Sequence, residues 1–143
     1  MLTRIELQEK LARIGGRAPK GIFRFSDGTR ATEWNTAHHF AVLLRPEFPD
    51  YDCDFDISKV HEASGCYRRP DIVLHRRGTP DNFLVIEMKM DGDPKKKAAD
   101  EIKIREIWFA NYHYQFGATI VLNERECSVS VEQNPRTRSD AKA

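Results

Sequence analysis

Three residues of this 143-residue chain, Asp71, Glu87 and Lys89, have the types and spacing to act together chemically. Glu87 and Lys89 stand two apart in FLVIEMKM, residues 83–90, an apolar run that reads as a strand. Side chains alternate along a strand, so Val85, Glu87 and Lys89 point one way while Leu84, Ile86 and Met88 point the other. Asp71 opens DIVLHR, residues 71–76, a strand separated from the first by the turn-forming RGTPDN. A hairpin of the two brings Asp71 beside Glu87 on the same face. Two close carboxylates repel, and one takes a raised pKa unless a cation sits between them. Such hard oxygen donors suit Mg²⁺ or Mn²⁺, and Lys89 beside them can hold a water or neutralise a phosphate. These are the parts that metal-assisted phosphodiester hydrolysis needs.

The elements that must position these residues are legible from periodicity and turn chemistry. Leu2, Ile5, Leu11 and Ile14 fall near helical spacing and Gly15-Gly16 ends the run, which predicts a short amphipathic helix over 2–14. Residues 17–30 are rich in turn formers and read as a loop with one brief strand. Thr32 is placed to cap a helix over 33–44, EWNTAHHFAVLL, stopped by Arg45-Pro46. Residues 51–57, YDCDFDI, alternate as a strand, and 58–70 read as a loop. After DGDP, residues 95–114 read as a long helix with Ala98, Ile102, Ile104, Ile107, Trp108 and Phe109 on its apolar side and Gly117 as its terminator. ATIVL, 118–122, reads as a buried strand and CSVSV, 127–131, as an edge strand. The expected architecture is α/β: a central mixed β-sheet flanked by helices, one domain over 1–132, then a flexible polar tail over 133–143.

RRPDIVLH, a short turn and FLVIEMKM together resemble the signature of the PD-(D/E)XK nuclease superfamily, whose fold is restriction-endonuclease-like. Pro70-Asp71 stands for the PD element, and Glu87, Met88 and Lys89 for the (D/E)XK element. The resemblance covers residues 31–122 and includes the order helix, three strands, helix, strand (αβββαβ). It implies a Mg²⁺- or Mn²⁺-dependent nuclease acting on nucleic acid, DNA ahead of RNA. Asp71 and Glu87 would bind the metal with the Met88 carbonyl assisting, and Lys89 would position the attacking water. It further implies an acidic residue on the helix before the first strand, for which Glu33 is the match. Asp100 and Lys103, one turn apart on the long helix, also look like this family.

Other features carry less. Asp50, Asp52, Asp54 and Asp56 alternate along the first strand, but position six of a calcium loop begun at Asp50 is Phe55 and position twelve is His61, so the pattern reads as a solvated acidic face. Cys53, His61 and Cys66 match no zinc-ligand spacing, and three cysteines suggest no disulfide framework. His38, His39 and Trp34 read as ordinary helix residues, Trp34 as core. Arg68, Arg69, Arg76 and Arg77 flank the hairpin and Lys95, Lys96 and Lys97 follow it, all placed to meet phosphates. The net charge of +1 argues neither for nor against such a partner. No run is apolar enough for a membrane span or a signal peptide, so a cytoplasmic location is expected. The small size leaves target recognition to a homodimer or a larger partner protein. The competing readings are a catalytically inactive nucleic-acid-binding module and a protein-interaction module of the same fold.

Overall fold

The computed structural model describes residues 2–55, 59–61, 66–68 and 70–140, without the side chains of 59–61, 66–68 and 138–140. It is an α/β fold built on a five-stranded mixed sheet whose strands lie in the order Asp52–Phe55, Ile72–His75, Asn82–Lys89, Phe116–Leu122 and Cys127–Gln133. β1 (Asp52–Phe55), β4 (Ile72–His75) and β5 (Asn82–Lys89) form an antiparallel meander. The chain then crosses over through a long helix to β6 (Phe116–Leu122), parallel to β5, and returns antiparallel in β7 (Cys127–Gln133).

The two faces of the sheet are covered differently. On one, Leu84, Ile86 and Met88 of β5 join Ile72, Leu74, Ala118 and Ile120 beneath α1 (Arg4–Gly16) and α2 (Glu33–Leu44), which contribute Leu7, Leu11, Phe40 and Leu44. Burying each such side chain stabilises the fold by roughly 1.5–3 kcal/mol. Thr3 and Glu6 form a capping box at the start of α1, and Thr32 accepts from Asn35 N–H at the start of α2. On the other face, Val73 and Val85 pack against Ile104, Trp108, Phe109 and Tyr114.

The crossover is not one regular helix. α3 (Pro94–Lys103) runs into a π-helical segment, Ile104–Phe109, and ends in a single turn, α4 (Ala110–Tyr112). Ile102, expected on the apolar side, is 49% exposed. Ile104, Trp108 and Phe109 are buried as expected, and Asp100 joins Ile104 and Trp108 at successive steps of four. The terminator is His113 in the left-handed region at φ 57°, not Gly117. Gly117 lies inside β6, where a Cβ would overlap Ile104 Cγ2 and press on the Phe109 ring. Glycine there lets the crossover helix lie against the strand.

Two segments differ further from the expected picture. Within 58–70, expected as a loop, β2 (Lys59–His61) and β3 (Cys66–Arg68) pair antiparallel, as runs too short to reveal alternation. The segment expected as a polar tail begins with the end of β7. Asn134 is then buried, donating to the carbonyls of Phe109 and Tyr114, and a short helix follows, α5 (Pro135–Asp140). The anchor is one polar residue satisfied by backbone, which a search for apolar anchors overlooks. No helix among the described residues is long and apolar enough to cross a membrane.

Candidate active site

The β4–β5 register pairs Ile72 with Ile86, which puts Asp71, the residue before β4 begins, level with Glu87. Pro70 would be the next residue to face β5, opposite Met88. A proline has no N–H to give the ladder, so Met88's carbonyl gains no donor from that side. Met88's N–H is taken instead by the Asp71 carboxylate, Oδ2 at 2.7 Å. The N–H and C=O of one strand residue point to the same edge, so the Met88 carbonyl faces the Asp71 side as well.

Glu87 is almost wholly buried, at 2% exposure. Its Oε1 accepts from Trp108 Nε1 at 2.9 Å and lies 3.4 Å from Lys103 Nζ. Burial first, and then the Asp71 charge, push its carboxyl up to about 8, while Lys103 and the Trp108 hydrogen bond pull the other way. Lys89 Nζ lies 3.8 Å from Asp100 Oδ2 and 3.9 Å from Glu33 Oε1. The structure thus brings Glu33, Asp71, Glu87 and Lys89 to one end of β5, with Glu33 reaching in from the first turn of α2 and half exposed.

α3 and the π segment close the site from above with Asp100, Lys103 and Trp108. Asp100 is 5% exposed, burial raises its pKa, and its Oδ2 accepts no hydrogen bond among the described residues. Trp108 is the partner that sequence reasoning missed, since it was assigned to packing alone. The available signal was its place four residues beyond Ile104 and eight beyond Asp100, and the rule that a buried indole N–H finds an acceptor.

Among the described residues, no three His, Cys, Asp or Glu side chains converge tightly enough to hold a metal ion by themselves. The donor set nevertheless fits Mg²⁺, which is held by one or two carboxylates and keeps several waters. Burial, with the Asp71 charge adding to it, raises the Glu87 carboxyl, and a cation between the two carboxylates would offset both.

The basic residues expected to meet phosphates separate into groups. Arg76 pairs with Asp81 at 3.3 Å and lies over the Tyr51 ring, and Arg77 clasps Asp54. Both belong to the β4–β5 turn, five and six residues beyond Asp71, which is level with Glu87, and so roughly 16–20 Å along the strand. Lys96 pairs with Asp91 at 3.6 Å, Lys95 is exposed, and Lys97 is half-buried one turn before Asp100. Arg69 and the side chain of Arg68 lie outside the described residues, as do Asp56 and the side chains of His61 and Cys66.

The acidic strand face is not uniformly solvated. Asp52 is exposed, but Asp54 is gripped by Arg77 and by His75 Nε2 at 2.6 Å, and these bonds, Arg77's foremost, hold its carboxyl below the usual range. Trp34, expected in the core, is 56% exposed and packs with His38 and Phe55.

Comparison with family models, with curated proteins and with solved structures returns no match to this chain.

Proposed function

We propose that this chain is a Mg²⁺- or Mn²⁺-dependent nuclease of the PD-(D/E)XK kind that hydrolyses phosphodiester bonds, in DNA ahead of RNA. The observation that carries the reading is the Asp71–Glu87 pair, level across a hairpin and electrostatically strained, with the Lys89 ammonium beside it. The succession α2, β1, β4, β5, α3, β6 supports a restriction-endonuclease-like core, with the β2–β3 hairpin as an insertion.

A bound divalent ion supplies Lewis-acid polarisation of the phosphoryl oxygen and lowers the pKa of a bound water. Asp71 and Glu87 would hold it, with the Met88 carbonyl turned to the same side and Glu33 at the rim. Asp71 is held in place by the Met88 N–H, so its position is set by the strand itself. Lys89, its head 26% exposed, orients the attacking water and offers charge to the phosphate. Trp108 and Lys103 fix the rotamer of Glu87.

A nucleic-acid-binding module without turnover is the second reading. It is favoured by one observation, that Lys103 and Trp108 both engage Oε1 of Glu87.

Two measurements test the proposal. Calorimetric titration with Mg²⁺ or Mn²⁺ is expected to give heat in the wild type that is lost in Asp71→Ala. Incubation with plasmid, linear and single-stranded DNA is expected to give cleavage with either metal and none in EDTA. Metal binding without cleavage of any DNA or RNA offered would favour the binding module, and equal heat in both proteins would place the metal elsewhere.

A further inference from the structure

Two turns meet just beyond the end of β5. One is the hairpin between Arg24 and Arg30, closed by Phe25 N–H to Thr29 O at 2.8 Å, with Gly28 at φ 86° supplying the left-handed residue. The other joins β6 to β7, where Asn123 Oδ1 accepts from the N–H groups of Arg125 and Glu126 at 2.8 and 3.1 Å. The Met90 carbonyl ties them together, accepting from Arg30 Nη2 at 3.3 Å and from Asn123 Nδ2 at 2.8 Å. An ion pair of Arg24 with Glu124 at 2.9 Å closes the seam.

Between the turns lies a concavity of about 300 Å³ lined by Arg24, Arg30, Arg125, Met90, Asn123 and Glu124. Its charged lining is three arginines against one glutamate. Arg125 makes no side-chain hydrogen bond or ion pair among the described residues and is exposed. Arg76 and Arg77 pair with Asp81 and Asp54 at the other end of the hairpin.

The position is as telling as the charge. Met90 follows Lys89 directly, and Arg30 precedes Glu33 by three residues, so the same backbone that carries two site residues carries this basic lining. Guanidinium groups held by backbone carbonyls present forks matched to phosphate oxygens.

We propose that the Arg24–Arg30–Arg125 concavity grips the phosphate backbone of a nucleic-acid strand as it leaves the Glu87–Lys89 end of β5. The choice of nucleic acid as the polyanion rests on the nuclease reading, but the binding itself requires no turnover. Glu124 acts as an internal competitor, holding Arg24 until a phosphate takes its place.

The test is fluorescence anisotropy with labelled duplex and single-stranded oligonucleotides in EDTA, so that nothing is cut, over a series of salt concentrations. Arg125→Ala is expected to weaken binding about tenfold, the size of one charge-assisted hydrogen bond, and to lower the salt slope by about one. Because Arg125 carries no structural bond through its side chain, this variant keeps its fold. Arg30→Ala is expected to weaken binding and Arg30→Lys to restore part of it. Glu124→Gln is expected to tighten binding, and Arg76→Ala to leave it unchanged. Wild-type affinity and slope in both Arg30→Ala and Arg125→Ala would overturn the proposal, as would loss confined to Arg76→Ala. Arginine-dependent binding by a protein that never cuts in Mg²⁺ or Mn²⁺ would remove the catalytic reading and uphold the concavity as the strand-binding surface.

Discussion

The indole Nε1 of Trp108 donates to Oε1 of Glu87 at 2.9 Å, both groups being buried. The bond joins the π segment of the crossover to the strand that carries the candidate site. It explains why a carboxylate can sit on the inner face of an apolar sheet, because hydrogen bonding and the nearby Lys103 ammonium offset part of its desolvation.

Trp108→Phe keeps most of the ring packing and removes the donor. Unfolding in urea is expected to show a loss of about 1–3 kcal/mol, the cost of a buried acceptor losing its partner. The pKa of Glu87 is expected to move further up, because this bond lowers it. Unchanged stability and an unchanged Glu87 titration would mean that Trp108 only fills space.

Glu87 also sets a pH dependence. Its carboxyl stands at about 8 in the fold against an ordinary 4.5. Below the lower value both folded and unfolded chains hold the proton, and Glu87 contributes no slope. Between the two, the unfolded chain has released a proton that the folded chain keeps, so stability falls as pH rises, and above about 8 the loss is complete. Asp100, raised by burial, acts in the same direction. Glu87→Gln removes the larger part of this effect. In EDTA, the stability of Glu87→Gln relative to wild type is expected to grow as pH rises from 4.5 to about 8, by a few kcal/mol in total. A difference that stays constant across that range would contradict the assignment.

Much of this arrangement was legible in the sequence, and the reasons differ by residue. Alternation in 83–90 and the proline-aspartate start of the neighbouring strand locate Asp71, Glu87 and Lys89, because a period of two admits only one facing arrangement once the hairpin is drawn. Glu33 came from the family resemblance, and its approach to Lys89 depends on how α2 packs, which no local pattern encodes. The crossover was harder. Ile102 and Ile104 stand two apart, about 200° around a helix, so with Asp100 and Ile104 turned inward Ile102 faces out. The basic residues were assigned by nearness in sequence. Arg76 and Arg77 are near the hairpin residues along the chain but sit at the opposite end of the strand, while Arg24 and Arg30, from the loop before α2, and Arg125, from the β6–β7 turn, meet around Met90.

Gly117 offers a test of the crossover packing that is independent of the site chemistry. Gly117→Ala puts a methyl group into Ile104 and Phe109, and is expected to destabilise the fold by about 1–3 kcal/mol. Chemical denaturation reads the loss directly. A stability equal to wild type would show that the helix can move off β6 at no cost.

The most direct measurement concerns Lys89. It shares a face with Glu87, its Nζ lies 3.8 Å from Asp100 and 3.9 Å from Glu33, and its head is partly hydrated. Its removal takes no ligand from a metal, but it strips the buried Asp100 of the ammonium that most offsets its burial, so Lys89→Ala is expected to lose some stability. Lys89→Ala, shown folded by circular dichroism and still binding Mg²⁺ or Mn²⁺ by calorimetry, is expected to lose cleavage of plasmid and linear DNA by about a hundredfold or more. Cleavage by Lys89→Ala at the wild-type rate would contradict the proposed mechanism outright.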